Sequence, residues 1–469
     1  MSKKKKNIIL ENIKLISAGA KGVAVGKTEE GKTVLVTGAV PGDVVNARVK
    51  KAKSKYYEAE VLEVIEKSPY RVEPKCIHFG VCGGCKWQNL SYQKQLDFKQ
   101  EEVYNNIKRI GGIEDFETLP ILGSAEEYFY RNKMEFSFSN ARWLTQYEIS
   151  SEENFGNRDA LGFHIPGMWS KILDLKECFL QEEPSNEIRL AVRDYAIKNG
   201  LDFYDVRNQE GFLRTLMLRQ NSKGEWMVLF QLYREEKENR ENLFNFVLEK
   251  FPQVKTLVYA INPKGNDSIY DLDIQNYYGE GFLMEEMDGL QFKIGPKSFF
   301  QTNYKQALEL YRKTIEFAEI SENDVVYDLY TGTGTIAQYI AKKAKYVIGI
   351  ESVQEAIDAA IEHAKLNGLE NCEFHCGDMK DVFTEEFLAN HPKADVLVTD
   401  PPRDGMHQKV VEQILKLSPP KIVYVSCNSA TQARDLALMK EHYNVVKILP
   451  VDMFPQTHHV ENIALLVKK

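Results

Sequence analysis

A short apolar run, Ile422-Val423-Tyr424-Val425, ends in Ser426-Cys427-Asn428, and a second, Val396-Leu397-Val398-Thr399, ends in Asp400-Pro401-Pro402-Arg403. Each run reads as a buried strand, so each motif stands at a strand end, where α/β sheets present their ligand-binding edge. Most cysteines of this kind are core filler, and Cys372 and Cys376 read that way. Cys427 differs, because polar Ser426 and Asn428 flank it at a strand end, which is the setting of a nucleophilic thiol. Upstream, Asp328-Leu329-Tyr330-Thr331-Gly332-Thr333-Gly334 follows another apolar run and opens a helical pattern. Glycines at such a turn let the backbone approach a ligand closely. A nucleotide-type cofactor turn and a thiol at the mouth of one sheet point to covalent catalysis beside a bound cofactor.

Glu351 ends the strand after the turn, where an acidic side chain grips ribose hydroxyls in such sheets. Asp378, after the third strand, is placed to accept from an adenine amino group. Gly332-x-Gly334-x-x-Ala337 also satisfies the loose dinucleotide fingerprint, so NAD remains a reading, as does a plain tight turn. The Asp400–Arg403 run separates the cofactors. It resembles the substrate-facing motif of S-adenosylmethionine-dependent methyltransferases. Its fourth position is usually aromatic where exocyclic nitrogen is methylated, so Arg403 points away from amino methylation. A hydride-transfer enzyme has no use for this element. Near the last strand, His458-His459-Val460-Glu461 invites a metal reading, but adjacent histidines cannot face one ion from a regular helix. Glu461 as a general base and Glu461 as a surface residue both stay open.

The elements that must hold these groups follow from the pattern of the rest. A chain of 469 residues is long enough for about three domains. With 43% hydrophobic and 27% charged residues the composition is that of a soluble globular protein. No stretch approaches the roughly 18 apolar residues that cross a bilayer, and the basic start Met1–Lys6 lacks a signal-peptide core, so a cytoplasmic protein without a membrane partner is expected. The net charge of −8 hides an asymmetry: residues 1–67 carry +6 and the remainder −14. That is the signature of a basic binding module on an acidic enzyme body. Residues 8–67 hold five short β-rich runs punctuated by glycine, which fits a small closed barrel of the oligonucleotide-binding kind. Its segment Lys50–Tyr57 reads as a basic loop with two aromatics, suited to a phosphate backbone and a stacked base, or as a solvated hairpin tip.

Pro69 and Pro74 mark a linker, and a polar helix is expected at Tyr92–Arg109. Residues 120–290 mix strand-like runs with a helix at Asn186–Asn199 and show no legible chemistry. From residue 291 onward strands alternate with helices, which implies a mostly parallel sheet covered on both faces. The seven cysteines are an odd number, and Cys76-x5-Cys82-x2-Cys85 crowds three of them together. In a reducing compartment such a cluster binds metal more often than it forms disulfides.

Together these residues resemble the RNA 5-methyluridine methyltransferase family, most of all its bacterial members that act on 23S ribosomal RNA. The resemblance covers nearly the whole chain. It implies an α/β fold with three parts: a TRAM barrel over 1–67, a central α+β domain over 68–290, and a Rossmann-like methyltransferase domain over 291–469. It makes Cys427 the nucleophile that adds to carbon 6 of uracil and Glu461 the acceptor of the carbon 5 proton. Gln301 (within Phe299-Phe300-Gln301-Thr302-Asn303), Tyr330, Thr335, Glu351, Asp378 and Asp400 become S-adenosylmethionine contacts. Cys76, Cys82, Cys85 and Cys178 become ligands of a [4Fe-4S] cluster, with zinc as the competing metal, since four thiolates suit either. RNA is the implied partner and a monomer the implied state. Ser429-Ala430-Thr431 departs from the family, which usually has proline after the asparagine. The rival readings are transfer RNA methylation at the same carbon, an NAD-dependent oxidoreductase, and a non-catalytic RNA-binding assembly factor.

Overall fold

The computed structural model describes residues 8–151 and 156–469; the basic run Met1–Lys6 lies outside them. The chain divides into two compact units, one of residues up to 80, 84–127 and 398–469, the other of 81–83 and 128–397.

In the first unit, β1 (Ile9–Ala18), β2 (Ala24–Lys27), β3 (Thr33–Thr37), β4 (Val44–Ala52) and β5 (Tyr56–Glu66) close into a barrel in the order β1-β2-β3-β5-β4. Alternate residues such as Val34 and Val36, or Val45 and Ala47, fill its interior, as the two-residue period of a strand requires. Gly26 sits where β2 crosses β1, and a Cβ there would lie 2.6 Å from the Lys14 carbonyl oxygen. The five expected strands are all present. The basic loop expected over Lys50–Tyr57 is instead the paired ends of β4 and β5 around a short turn. The reason is charge pairing across the ladder. Lys51 meets Glu58 at 3.2 Å, Lys50 meets Glu60 at 2.7 Å, and the Lys32 ammonium stands 3.8 Å over the Tyr57 ring. Beyond the barrel come α1 (Tyr92–Arg109), bounded as expected, and the short β6 (Glu117–Thr118).

The second unit begins with β7 (Lys133–Ser139), α2 (Gln146–Ser150), β8 (Ala160–Ile165), β9 (Met168–Asp174), α3 (Ser185–Lys198), β10 (Leu213–Gln220), β11 (Trp226–Leu232), α4 (Lys237–Lys250), β12 (Val254–Ile261) and β13 (Gln275–Tyr278). Its strands form a seven-stranded sheet in the order β13-β12-β11-β10-β7-β8-β9. Central β10 and β11 are buried along their whole length. A hairpin of β14 (Leu283–Met287) and β15 (Leu290–Ile294) leads into α5 (Tyr304–Ala318). Then β16 (Val325–Leu329), α6 (Thr335–Ala341), β17 (Tyr346–Glu351), α7 (Gln354–Leu366), β18 (Cys372–Cys376), α8 (Met379–Val382) and α9 (Glu385–Asn390) follow. The three strands run parallel in the order β18-β17-β16. The chain returns to the first unit along β19 (Val396–Thr399).

There α10 (Gln408–Leu417), β20 (Lys421–Ser426), α11 (Ser429–Met439), β21 (Tyr443–Val451) and β22 (Glu461–Lys468) complete the fold. β22 runs antiparallel between β20 and β21, and β6 adds to β21 in parallel. The alternation from residue 291 thus matches the expected elements closely, with an antiparallel ending. Cys376, expected as buried filler, is exposed, because β18 is the end strand of its parallel set. Among the described residues no helix is long and apolar enough to cross a membrane.

Candidate active site

The β20–β22 register pairs Lys421 with Val467 and Ser426 with Asn462. β20 ends at Ser426, paired with Asn462, so Cys427 follows directly on β20 at the end where β22 begins with Glu461. The Glu461 charge bears on the Cys427 thiol, which puts the two expected catalytic groups in one neighbourhood. Glu461 is only 6% exposed, while the Cys427 thiol is half-buried. Burial pushes the thiol up to about 11; the Glu461 and Asp400 charges add to the rise, and Arg403 opposes it by charge and hydrogen bond. Burial likewise raises the Glu461 carboxyl to about 8, with Asp400 adding and Arg403 opposing. Negative charge on Asp400 and lack of water thus hold both acids toward their protonated forms. Arg403 is the cation that relieves both. His458 is held neutral: burial takes its imidazole down to about 4, and the His459, Lys99, Lys86 and Arg403 charges add to this.

The Asp400–Met406 loop is pinned to the start of α11. Asn428 Oδ1 accepts the Ala430 N–H at 3.1 Å and its Nδ2 donates to the Arg403 carbonyl at 2.9 Å. The Thr431 hydroxyl donates to the same carbonyl at 3.0 Å. Residues 429–431, where the chain departs from the family pattern, thus form the helix start that clamps the loop. Fully buried Asp435 takes the Met406 N–H at 2.8 Å and the Tyr424 hydroxyl at 2.7 Å. Gly405, at φ +75, leaves no room for a side chain: a Cβ would lie 2.7 Å from the Asp435 carboxylate.

The loop before Glu461 is held by the polar face of α1. Lys99 and Asp452, both fully buried, pair at 2.6 Å, and Lys99 also donates to the Phe454 carbonyl at 3.2 Å. Buried Gln95 accepts the Gln456 N–H at 2.9 Å and donates to Gln456 Oε1 at 3.0 Å. Tyr92 donates to Asp452 at 2.9 Å. A buried charge is tolerated only when paired and hydrogen-bonded, and here that requirement fixes the path of residues 452–460 into β22.

The cofactor turn lies in the second unit. Gly332 (φ +56) and Gly334 (φ +75) adopt left-handed backbone, and Tyr330 does so too at φ 64. A Cβ on Gly334 would lie 2.8 Å from Ala360 Cβ, so that glycine serves helix packing; one on Gly332 would meet nothing within 4 Å. The turn therefore leaves open space along its backbone, which fits a ligand laid against it. Glu351 Oε2 accepts the Gly332 N–H at 3.1 Å and Oε1 the Ser352 N–H at 2.7 Å. Oε1 also accepts the Ser352 hydroxyl at 3.0 Å and the Val353 N–H at 3.1 Å, so Oε2 is the oxygen left with room for a ribose hydroxyl. Thr335 opens α6. Asp378 caps α8, accepting the Lys380 N–H at 3.2 Å, and pairs with the Lys380 ammonium at 2.6 Å. The Gln301 carbonyl accepts from Asn132 Nδ2 at 3.0 Å, and buried Arg219 donates to the Gly295 and Ser298 carbonyls at 2.9 and 3.0 Å. These bonds present Phe299, 70% exposed, and Gln301. Sequence reasoning missed Asp328. Burial pushes its carboxyl up to about 7 against the Thr331 hydroxyl bond of 2.6 Å, which braces the turn. An acid directly ahead of the glycine turn was the signal for it.

Cys76, Cys82, Cys85 and Cys178 are each half-buried. Arg189 is fully buried and its Nε has no hydrogen-bond partner; burial pulls the guanidinium down to about 10, and Cys178 is the first charge to oppose this. Arg189 Nη1 donates to the Leu175 carbonyl and its Nη2 to Asn186 Oδ1 at 3.0 Å, so what bears on Cys178 is a buried cation whose charge favours a thiolate there.

Comparison with known proteins places this architecture. Residues 271–469 match the tRNA (Uracil-5-)-methyltransferase family and residues 15–62 the TRAM domain. An uncharacterized RNA methyltransferase of Bacteroides thetaiotaomicron is 50% identical over 450 residues, 95% of this chain and 99% of its own. One from Porphyromonas gingivalis is 48% identical over 463 residues, 97% and 99% of the two chains. The crystal structure of Pyrococcus abyssi tRNA (uracil-54, C5)-methyltransferase in complex with S-adenosyl-L-homocysteine superposes with a TM-score of 0.74 at 29% identity, covering 97% of this chain and 99% of that one.

Proposed function

We propose that this chain, which belongs to the S-adenosylmethionine-dependent RNA (uracil-5-)-methyltransferase family, methylates carbon 5 of a uridine in 23S ribosomal RNA through a covalent Cys427 adduct. What supports the reading is that Cys427 follows β20 at the end where β22 begins with Glu461, and that the Glu461 charge bears on its thiol.

Carbon 5 of uracil is a poor nucleophile. Addition of the Cys427 thiolate to carbon 6 forms a C–S bond and moves the ring π pair toward carbon 5 and the enolate oxygen. S-adenosylmethionine, when bound, supplies the electrophilic methyl group. Glu461 then takes the carbon 5 proton; the C–H pair restores the ring double bond, the C6–S bond breaks, and Cys427 leaves as thiolate. A base near 8 is matched to this task at cellular pH. Arg403 favours the thiolate before attack and would serve as a donor to the enolate oxygen. Gln301, Tyr330, Thr335, Glu351, Asp378 and Asp400 would hold the methyl donor. The target base leaves its stack to reach such a pocket.

Residues 1–67 serve RNA binding, 68–290 carry the cysteine cluster, and 291–469 do the chemistry in a monomeric cytoplasmic enzyme. Cys76, Cys82, Cys85 and Cys178 would ligate a [4Fe-4S] cluster. Its place is structural or in RNA positioning, since the Cys427 chemistry has no redox step. Iron–sulfur absorbance of anaerobically purified protein supports this; zinc alone in metal analysis overturns it. Transfer RNA is the second reading, favoured by the name of the Pyrococcus abyssi enzyme, whose match spans the barrel as well. Mass mapping of 5-methyluridine in ribosomal and transfer RNA, with and without the gene, decides. Loss from the large-subunit RNA is expected, and loss confined to transfer RNA refutes that substrate.

A further inference from the structure

The second unit holds a group of side chains that the methyl-transfer reading leaves unused. β18 is the end strand of its parallel set, and Glu373 and His375, two residues apart, share one of its faces. His391 follows directly on α9. One ligand atom from each lies within 4.8 Å of the others. Glu373 Oε1 is 3.0 Å from His375 Nε2 and 3.8 Å from His391 Nε2. Donors on a tetrahedral zinc ion, with bonds of about 2.0–2.1 Å, stand about 3.4 Å apart, so the two separations bracket the required value.

The far side of each ligand is already fixed. The Phe387 carbonyl lies 2.7 Å from His391 Nδ1, which keeps the ring proton there and leaves Nε2 a free lone pair. The Tyr346 hydroxyl donates to Glu373 Oε2 at 2.8 Å and leaves Oε1 for another partner. Phe387 stacks on His391 at a centroid distance of 3.9 Å and meets His375 edge-on at 5.0 Å, which sets both rings. Buried His375 Nε2 has Glu373 Oε1 as its partner at 3.0 Å, and a second imidazole nitrogen, His391 Nε2, stands 3.8 Å from the same oxygen.

We infer that Glu373, His375 and His391 form a zinc site, with water in the fourth position, that staples β18 to the segment after α9. Two imidazoles and one carboxylate suit this metal. Asp378, a proposed cofactor contact, lies two residues past β18, so the staple steadies that strand end.

The test uses the full chain stripped with EDTA and titrated with zinc sulfate, beside Glu373→Gln and His391→Ala. Zinc bound to the four distant cysteines is common to all three proteins. The wild type should hold one zinc equivalent more than either variant after dialysis. Its zinc-dependent rise in melting temperature should be lost in both, with circular dichroism unchanged. Glu373→Gln keeps the size of the side chain and covers the case in which His391→Ala fails to fold. Cobalt(II) should give the wild type visible bands that Glu373→Gln lacks, while thiolate absorption from the four cysteines is common to both, and Glu373→Gln should weaken cobalt binding at this site at least tenfold. Equal zinc content and equal thermal response in wild type and Glu373→Gln would overturn the site.

Discussion

Replacing Glu461 by glutamine should stabilise the protein while stopping turnover, and the gain should grow with pH. Burial raises this carboxyl from its ordinary 4.5 to about 8. Below about 4.5 the folded and unfolded chains both hold the proton, and it contributes nothing to the pH dependence. Between that value and about 8 the unfolded chain has released the proton and the folded chain has not, so stability falls as pH rises. At 1.36 kcal/mol per pH unit the loss reaches about 5 kcal/mol by pH 8 and then levels off. With 6% exposure, solvent screening takes little from this. Glutamine keeps the shape and carries no charge. In a unit of about 200 residues, 1 kcal/mol moves the melting temperature by roughly 2–4 °C. Calorimetric scans of wild type and Glu461→Gln at pH 5 and pH 8.5 should therefore diverge by about 10 °C at the higher pH and nearly coincide at the lower. Parallel pH dependence of the two would refute the claim that Glu461 holds its proton in the folded enzyme.

Three further outcomes follow from the same geometry. Lys99→Met leaves Asp452 buried and unpaired, so a loss of about 3–5 kcal/mol is expected, with faster hydrogen exchange across residues 452–461 by mass spectrometry. Arg403→Gln removes the cation that opposes the rise of the Cys427 pKa, so alkylation of Cys427 by iodoacetamide at pH 8 should slow several-fold; an unchanged rate means Arg403 does not act on the thiol. Gly332→Ala puts a methyl group into the open space of the cofactor turn at φ +56, a strain of about 1–2 kcal/mol. Affinity for S-adenosylhomocysteine, read by calorimetry, should drop at least tenfold while the melting temperature falls only a few degrees.

The chemistry-bearing residues were legible because their signals are local. A polar-flanked cysteine at a strand end, a glycine turn between strand and helix, and an acid ending the next strand are each visible within a few residues. Strand and helix alternation from residue 291 was legible for the same reason, since hydrophobic period is local. What joins Cys427 to Glu461 is not local: it is the antiparallel pairing of β20 with β22, and no window of sequence contains both. The buried face of α1 was hidden too. The pattern shows only a polar helix over Tyr92–Arg109, yet Gln95 and Lys99 on it are fully buried as anchors for the loop before Glu461. The clamp that Asn428 puts on the Asp400–Met406 loop was hidden because the two are distant in sequence. The seven-stranded sheet escaped because its order depends on long-range pairing, such as β10 with β7, and no chemical motif marks it.

The most direct measurement is mass spectrometry of Glu461→Gln protein incubated with substrate RNA and S-adenosylmethionine, then digested with nuclease and protease. The account predicts that the peptide containing Cys427 carries a methylated uridine nucleotide through its sulfur, because removal of the carbon 5 proton is blocked after attack, and that Cys427→Ala forms neither adduct nor product. Full methyl transfer by Cys427→Ala, with no adduct on any variant, would contradict it.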